Sequence, residues 1–276
     1  MANRGELRRV IEGQSTKLAR SVHNIRYDPI HDEILVGNPV AQAILVFRGG
    51  ATGDEEPIRV IQGPRTMLWD PDHVDVDPVH NEIFVPDGDR VLVFAREAHG
   101  NVAPIRIIQG PHTRLVQARG IAVDPVHEVI IVSEDLNEGT PTTDIKKDRG
   151  AQDNGTGLLL IFKRTDSGNV KPRAVIGGGP NARLHRVNEF VVSPKGWIVV
   201  PPSAGGGALL TAPGQYEGIG IWSINDSGDV PPRWILAGPQ SKLKGSKNAA
   251  LNPAAKELIV MMEDGGFAGY HLPEIF

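Results

Sequence analysis

The sequence contains no cysteine, and only 5% of its 276 residues are aromatic. The lack of cysteine excludes disulfides, thiolate metal sites and a cysteine nucleophile. No stretch approaches the roughly 18 consecutive apolar residues of a membrane-spanning helix, and residues 1–9 lack the apolar segment of a signal peptide. We therefore expect a cytoplasmic protein without membrane association, although a mature secreted or periplasmic form stays open because a removed leader leaves no trace.

Positive charge is not in excess either. The 29 Lys and Arg residues stand against 33 Asp and Glu residues, which gives a formal net charge of −4. This balance provides no basic surface for nucleic acid or anionic lipid. What the chain does have is 32 Gly and 22 Pro, a composition typical of many turns and short strands rather than long helices.

One motif, Gly-(Pro/Gln)-x-(Ser/Thr/Ala)-x-Leu, occurs five times. Its copies begin at Gly13, Gly63, Gly110, Gly179 and Gly238. Each copy is followed by a turn dipeptide, and these are Asp28-Pro29, Asp77-Pro78, Asp124-Pro125, Ser193-Pro194 and Asn252-Pro253. Five copies in the same phase indicate one structural unit that is repeated along the chain.

Each unit contains four short runs that are rich in β-branched residues. In the first unit these runs are residues 24–27, 33–37, 43–47 and 57–62, and a glycine turn separates the third run from the fourth. The composition favours strands over helices. Four strands in a repeat of about 47–49 residues are typical of a propeller blade.

We therefore predict an all-β fold, a single-domain five-bladed β-propeller. The predicted blades are residues 21–63, 69–110, 116–178, 185–237 and 244–276 plus 6–13. The N-terminal run of residues 7–11 is predicted to supply the fourth strand of the last blade, which closes the ring and removes exposed sheet edges.

The blade motifs also resemble a known group of proteins. The Asp-Pro-(Ile/Val)-His-x-Glu turns, followed by Ile-Leu-Val-Phe and Pro-Ile-Arg-Val-Ile-Gln-Gly, resemble bacterial NHL-type repeats. More distantly, they are similar to the gluconolactonase/regucalcin-like propellers. The resemblance covers nearly the whole chain, and it rests on motifs that specify fold rather than chemistry.

The first strand of each blade is expected to line a central channel. Counting back four places from each turn dipeptide gives Asn24, His73, Gly120, Glu189 and Asn248. We interpret these positions as a ring at the channel mouth, beneath two long loops at 134–156 and 201–217. The apolar residues one and three places before the turn, such as Tyr27 and Ile25, are expected to pack against neighbouring blades.

This ring is a candidate metal site. The oxygen donors of Asn24, Glu189 and Asn248 suit Ca²⁺ or Mg²⁺, whereas His73 favours Zn²⁺. The resemblance to gluconolactonase-like propellers implies a divalent ion held by Glu189, Asn24 and Asn248, and no organic cofactor is expected. The alternative is a hydrated polar channel without metal, in which Arg26 and Asp75 pair between adjacent blades.

Candidate catalytic groups lie in and beside the ring. His73 or His23 is the candidate general base, because imidazole titrates near neutral pH. Arg119 is a candidate for holding a carboxylate or a developing oxyanion. By contrast, His31, His80 and His127 recur in Asp-Pro-x-His turns and are interpreted as structural.

These features predict a metal-assisted hydrolase or lyase that acts on a lactone or ester type of small molecule beneath the 134–156 and 201–217 loops. The alternative is a non-catalytic NHL-like propeller that binds a protein or glycan partner on the same face. A scaffold without any ligand is the third possibility.

Overall fold

The computed structural model describes residues 8–135, 157–185, 187–201, 218–243, 248–262 and 266–276. Its regular elements are nineteen strands and two single-turn 3₁₀ helices, Pro64–Thr66 and Pro273–Ile275. In this part of the chain, no helix has the length and apolar character needed to cross a membrane.

The strands form five antiparallel sheets in chain order. The first contains β1 (Ile25–Asp28), β2 (Glu33–Asn38), β3 (Ala43–Arg48) and β4 (Arg59–Gln62). The second contains β5 (Asp75–Asp77), β6 (Glu82–Asp87), β7 (Arg90–Ala95) and β8 (Arg106–Gln109). The third contains β9 (Ile121–Asp124), β10 (Val129–Asp135), β11 (Gly157–Lys163) and β12 (Ala174–Gly177).

The fourth sheet contains β13 (Val191–Val192), β14 (Trp197–Val200), β15 (Gly218–Ser223) and β16 (Trp234–Ala237). The fifth contains β17 (Asn248–Asn252), β18 (Glu257–Met261) and β19 (Phe267–His271). The predicted all-β, five-bladed β-propeller is confirmed. In the first blade, the observed strands begin and end within two residues of the predicted runs.

The predicted closing strand is described only from residue 8 onward. Residues 10–12 pair with the glycine turn of the first blade: Ile11 forms a parallel bridge with Gly53, and the Glu12 N–H donates to the Gly53 carbonyl at 3.0 Å. Fourth strands β4 and β12 make the same bridge to Gly100 and Gly228. The N-terminal segment therefore has the bonding pattern of a fourth strand, while its pairing within the last blade stays a prediction.

The backbone groups into two compact units, Met1–Asp87 with Leu92–Arg106, and Gly88–Val91 with Ile107–Phe276. In the first unit, Val36, Leu45 and Phe47 form a core around the first sheet. In the second unit, the third and fourth sheets share a core. There Trp222 is fully buried, and its Nε1 donates to the Val230 carbonyl at 3.1 Å. That the whole chain forms a single domain stays a prediction.

The Asp-Pro-x-His turns are built by the aspartate side chain. Asp28 is fully buried; its Oδ1 accepts hydrogen bonds from the backbone N–H groups of Ile30 and His31, and its Oδ2 lies 2.7 Å from His31 Nδ1. Asp77 with His80 and Asp124 with His127 repeat this arrangement. The structural interpretation of the three histidines is confirmed, since each imidazole bonds to the aspartate that caps its turn.

Each copy of the five-fold glycine motif forms a second recurring structure, which we call the linker. In the third copy, Thr113 is fully buried; its hydroxyl donates to the Gly110 carbonyl at 2.6 Å and accepts from the Leu115 N–H at 3.2 Å. The residue before the leucine adopts a left-handed conformation in all five linkers. These residues are Lys17, Met67, Arg114, Arg183 and Lys242, with φ values of 60, 62, 63, 58 and 55°.

One prediction about the first strands is wrong in the first blade. Ile25 and Tyr27 were expected to pack against a neighbouring blade, but they are 60% and 55% exposed. The corresponding Val74 and Val76 of β5 are 0% and 7% exposed. The sequence pattern is the same in both strands, so the pattern alone does not predict which of the two faces is buried.

Candidate functional site

The first strands of the first two blades run side by side and bring Asn24 near the residues that precede β5. Asn24 is 1% exposed, and its Oδ1 accepts a hydrogen bond from the Val74 N–H at 3.2 Å. His73, the adjacent residue, is 5% exposed. Two of the predicted ring residues therefore lie close together in the first unit, and the Asn24 amide joins the two blades.

Beside them, the Asp72 carboxylate lies between two imidazoles. His23 Nδ1 is 2.5 Å from Asp72 Oδ1, and His73 Nδ1 is 3.6 Å from Asp72 Oδ2. The side chains of His23 and Asp72 are 61% and 29% exposed, whereas that of His73 is 6% exposed. The His23 imidazole is thus exposed and paired with the Asp72 carboxylate. The His73 imidazole is buried near the same carboxylate.

Two places before their turn dipeptides, Arg26 of β1 and Asp75 of β5 form an ion pair. Arg26 Nε lies 3.4 Å from Asp75 Oδ1, and both side chains are largely buried. This ion pair was the arrangement expected of a hydrated polar channel without metal.

In the second unit, the remaining predicted residues occupy separate strands. The Arg119 N–H donates to the Ser133 carbonyl at 3.0 Å, next to the start of β9. Glu189 is 8% exposed and lies just before β13, and Asn248 begins β17, where its Oδ1 accepts from the Ala249 N–H at 2.7 Å. Their roles as oxyanion holder and metal ligands stay predictions.

Gly120 occupies the ring position of the third blade for a steric reason. A Cβ atom at this residue would overlap with the carbonyl oxygen of Asn188. The close approach of these two backbones is fixed further by Ser133, whose hydroxyl donates to the Val187 carbonyl at 2.5 Å and accepts from the Gly120 N–H at 2.7 Å. This part of the third blade is therefore built to hold backbone rather than to present a ligand-binding side chain.

A divalent ion needs several donor atoms that converge on one point. Among the described residues, no group of three or more His, Asp or Glu side chains is placed to hold a metal ion. In the first unit, the Asn24 oxygen that would serve as a ligand already accepts the Val74 N–H. Among the described residues of either unit alone, the donor set does not fit a divalent ion, and the metal site stays a prediction.

The roles of two buried carboxylates were not predicted from the sequence. Asp87 is 1% exposed and accepts from the backbone N–H groups of Trp69 and Asp70 at 2.6 and 3.0 Å. Glu134 is 1% exposed and accepts from the N–H groups of Val116 and Gln117 at 2.7 and 3.0 Å. Asp87 is the last residue of β6 and Glu134 is the next-to-last residue of β10. Each lies five residues after the corresponding first residue of its strand, and this equal position in the repeat was the available signal. They hold the linkers rather than a ligand.

An exposed aromatic residue flanks the His23–Asp72 pair. Trp69 is 71% exposed and lies on the same linker as Asp72. Its backbone is fixed by Asp87 and by Gln42, whose Nε2 donates to the Trp69 carbonyl at 3.2 Å. An exposed indole on a hydrogen-bonded backbone, three residues from an accessible carboxylate, offers an apolar surface beside a polar one.

The sequence predicts that the site lies beneath the two long loops at 134–156 and 201–217. Residues 136–156 and 202–217 lie outside the described residues. The predicted location of the site beneath these loops is therefore untested.

Comparison with known proteins supports the fold. Hydrazine synthase from Kuenenia stuttgartiensis is structurally similar, with a TM-score of 0.56 and 13% sequence identity. The alignment covers 87% of this chain and 61% of that chain, so the protein spans less than two thirds of its neighbour. At this identity the similarity shows a shared propeller fold.

No family model matches the chain, and no curated protein matches it. The resemblance to NHL-type and gluconolactonase-like repeats therefore stays a prediction. Altogether 710 solved chains are structurally similar. A fold this widely used does not select an activity, which must be argued from the side chains of the site.

Proposed function

We propose that the protein is a hydrolase of small esters or lactones that uses His23 as general base, oriented by Asp72. The observation that carries this proposal is the 2.5 Å separation of His23 Nδ1 and Asp72 Oδ1 at an exposed imidazole. A carboxylate that accepts the Nδ1 proton fixes the imidazole tautomer and leaves the Nε2 lone pair available to take a proton from water.

The proposed reaction needs only water and the substrate. His23 Nε2 removes a proton from a water molecule while the water oxygen adds to the carbonyl carbon. The resulting imidazolium is stabilised by the Asp72 carboxylate, as in other imidazole–carboxylate pairs. When the C–O bond to the leaving alkoxide breaks, the Nε2 proton passes to that alkoxide, and His23 returns to its neutral form.

His73 is assigned a positioning role in this proposal. Its Nδ1 lies 3.6 Å from the second oxygen of Asp72, and its ring is buried. Its position beside the second oxygen restricts the rotation of the carboxylate. Trp69, on the same linker, supplies an exposed apolar surface for the carbon skeleton of the substrate.

The test is hydrolysis of a panel of γ- and δ-lactones and aryl esters by the wild type and two variants, His23→Ala and Asp72→Asn. General-base catalysis contributes about 10²–10⁴-fold to rate, so we expect kcat/KM to fall at least about 100-fold in His23→Ala. His112→Ala is the matched control, because His112 is an exposed histidine of another linker. An inactive wild type, or His23→Ala with unchanged kcat/KM, overturns the proposal.

The second candidate function is binding without catalysis, which Trp69 favours. An exposed tryptophan on a rigid linker is typical of recognition surfaces. A glycan or peptide array, followed by titration of tryptophan fluorescence, identifies a ligand, and Trp69→Ala is expected to abolish its binding. A ligand that binds at Trp69 and is never turned over supports this second function over the first.

A further inference from the structure

The Asp72 carboxylate is carried by a segment without regular secondary structure, residues 69–74, which leads into β5. Both ends of this segment are held by side chains. At its start, the Asp87 carboxylate accepts two backbone N–H groups at 2.6 and 3.0 Å, and at its end Asn24 Oδ1 accepts one at 3.2 Å. The position of Asp72 between these two anchors depends on what the middle of the segment packs against.

The middle of segment 69–74 packs against Gly37, a buried residue of β2. A Cβ atom at Gly37 would lie 2.5 Å from the carbonyl oxygen of Pro71 and 3.1 Å from that of Asp72. Gly37 does not adopt a left-handed conformation, and it pairs with Ile44 in the regular ladder between β2 and β3. The lack of a side chain, rather than a special backbone conformation, is therefore what this position requires.

The third blade has a side chain at the same position of the repeat. Ser133 lies four residues after the first residue of β10, as Gly37 does in β2. The Ser133 hydroxyl donates to the Val187 carbonyl at 2.5 Å, and Val187 corresponds to Pro71, because each follows the leucine of its linker by three residues. A serine at this position thus holds the next blade through a hydrogen bond, whereas glycine lets the two backbones pack directly.

A side chain at Gly37 would displace segment 69–74 rather than β2. The strand β2 pairs with β1 on one side and with β3 on the other, so two ladders of hydrogen bonds fix its position. Segment 69–74 carries no strand pairing, and Trp69 within it is 71% exposed. A shift of the segment moves the Asp72 backbone, and with it the carboxylate oxygen that lies 2.5 Å from His23 Nδ1.

We propose that Gly37 is a positioning residue of the His23–Asp72 pair. By lacking a side chain, it lets the backbone of segment 69–74 lie directly on β2, and this contact keeps the Asp72 carboxylate within hydrogen-bond distance of His23. A retreat of the carboxylate by about 1 Å would take the 2.5 Å separation beyond that range. The inference rests on the proposed function for its effect on catalysis, but the pairing of the two side chains is measurable without a substrate.

The test reads the tautomer of the His23 imidazole from the chemical shifts of its two ring nitrogens at alkaline pH, with His23→Gln to assign the signals. A carboxylate that accepts from Nδ1 selects the Nδ1–H tautomer, whereas an imidazole without this partner favours the Nε2–H form. We expect the Nδ1–H tautomer to predominate in the wild type and the Nε2–H tautomer to predominate in Gly37→Ala.

A second variant, Gly37→Ser, separates positioning from stability. Its hydroxyl is expected to donate to the Pro71 carbonyl, as the Ser133 hydroxyl does to the corresponding carbonyl of the fourth blade. Gly37→Ser should therefore melt at a higher temperature than Gly37→Ala and still lose the Nδ1–H tautomer of His23, because its side chain also displaces segment 69–74. If Gly37 had only a structural role, the tautomer would return with the stability.

The matched control is Gly157→Ala, at a buried strand glycine that packs against the backbone of another blade. A Cβ atom at Gly157 would lie 2.9 Å from the backbone nitrogen of His185. The added methyl group therefore meets the same kind of obstacle as it does at Gly37. We expect Gly157→Ala to lower the melting temperature and to leave the His23 tautomer unchanged.

Kinetics connect the positioning to the proposed hydrolysis. With the best substrate of the lactone and ester panel, kcat/KM is expected to fall at least about tenfold in Gly37→Ala. In an Asp72→Asn background the same change is expected to alter kcat/KM by less than about twofold, since Gly37 acts through the Asp72 carboxylate. An Nε2–H tautomer in the wild type, the Nδ1–H tautomer in both Gly37 variants, or equal losses in the two backgrounds overturns the inference. A wild type that hydrolyses nothing overturns the proposed function alone, and the tautomer then decides the role of Gly37.

Discussion

Gly63 packs so closely against the side chain of Asn101 that a single added methyl group would lie 2.7 Å from the Asn101 Oδ1 atom. The two residues belong to different blades. Gly13 with Asp54, Gly110 with Asn169 and Gly179 with Asp229 repeat the contact. The backbone φ of Gly63 is +122°, so both the conformation and the space require glycine.

Gly63→Ala is therefore expected to destabilise the protein by about 3 kcal/mol, since it adds backbone strain to a steric overlap. The matched control is Gly88→Ala, because Gly88 has φ +65° and open space around its Cβ position. It is expected to lose only about 1 kcal/mol. Urea unfolding at neutral pH measures both values, and equal losses would show that the Asn101 contact is unimportant.

Asp54→Ala is expected to release the N-terminal segment. Asp54 accepts hydrogen bonds from the Ser15 N–H at 2.6 Å and from the Ser15 hydroxyl at 3.1 Å. The expected loss is about 1–2 kcal/mol, with faster hydrogen exchange at Ser15. Glu56→Ala, at an exposed residue two places further on, is the control and is expected to leave exchange at Ser15 unchanged.

Glu33→Gln tests a buried charge network. Glu33 is 6% exposed, and its carboxylate accepts two hydrogen bonds from Arg59 at 2.8 and 2.6 Å and one from Arg96 at 2.9 Å. Removing its charge leaves two largely buried guanidinium groups, at an expected cost of about 3 kcal/mol. Glu128→Gln is the control, since its pair with Arg164 is more exposed and contributes below about 1 kcal/mol.

The same network predicts a pH dependence. Burial raises the pKa of Glu33, but the hydrogen bonds and positive charges of Arg59 and Arg96 outweigh it and hold the pKa below the ordinary value of 4.5. A lowered folded-state pKa stabilises the protein above the unfolded-state value, and this stabilisation is lost as the pH falls through the folded-state pKa. The difference in unfolding free energy between wild type and Glu33→Gln should therefore shrink below pH 4.5. A difference independent of pH would contradict this assignment.

Thr113→Val removes a hydroxyl that bonds both ends of its linker. The fully buried Thr113 side chain joins the Gly110 carbonyl to the Leu115 N–H, so about 1–2 kcal/mol is expected to be lost. Thr165→Val, at an exposed threonine, is expected to be neutral. If chemical unfolding gives equal stabilities for Thr113→Val and the wild type, the hydroxyl is dispensable, as the natural alanine at position 182 of the fourth linker would suggest.

The repeat could be predicted from the sequence because its turns require particular residue types. Asp28 and Gly63 each occupy a position where few residues satisfy the backbone, so they mark blade boundaries. The exposure of Ile25 and Tyr27 could not be predicted from the sequence. The alternation of apolar and polar residues along a strand shows that one face is apolar, but it does not show whether another blade covers that face.

The candidate site was predicted only in part. The spacing identified His23 and His73, but it did not show that Asp72 lies between their imidazoles, since that depends on side-chain rotamers at two adjacent blades. The roles of Asp87 and Glu134 were hidden for a similar reason. Their carboxylates resemble ligands in the sequence, and only the coordinates show that linker N–H groups use them.

The left-handed residue in each linker has a practical consequence for engineering. A non-glycine residue in this conformation costs about 1 kcal/mol, and the sequence places lysine, methionine or arginine there rather than asparagine. Asparagine tolerates this region better, and unlike glycine it adds little freedom to the unfolded chain. Heat resistance can therefore be raised at five repeated surface positions without altering a sheet.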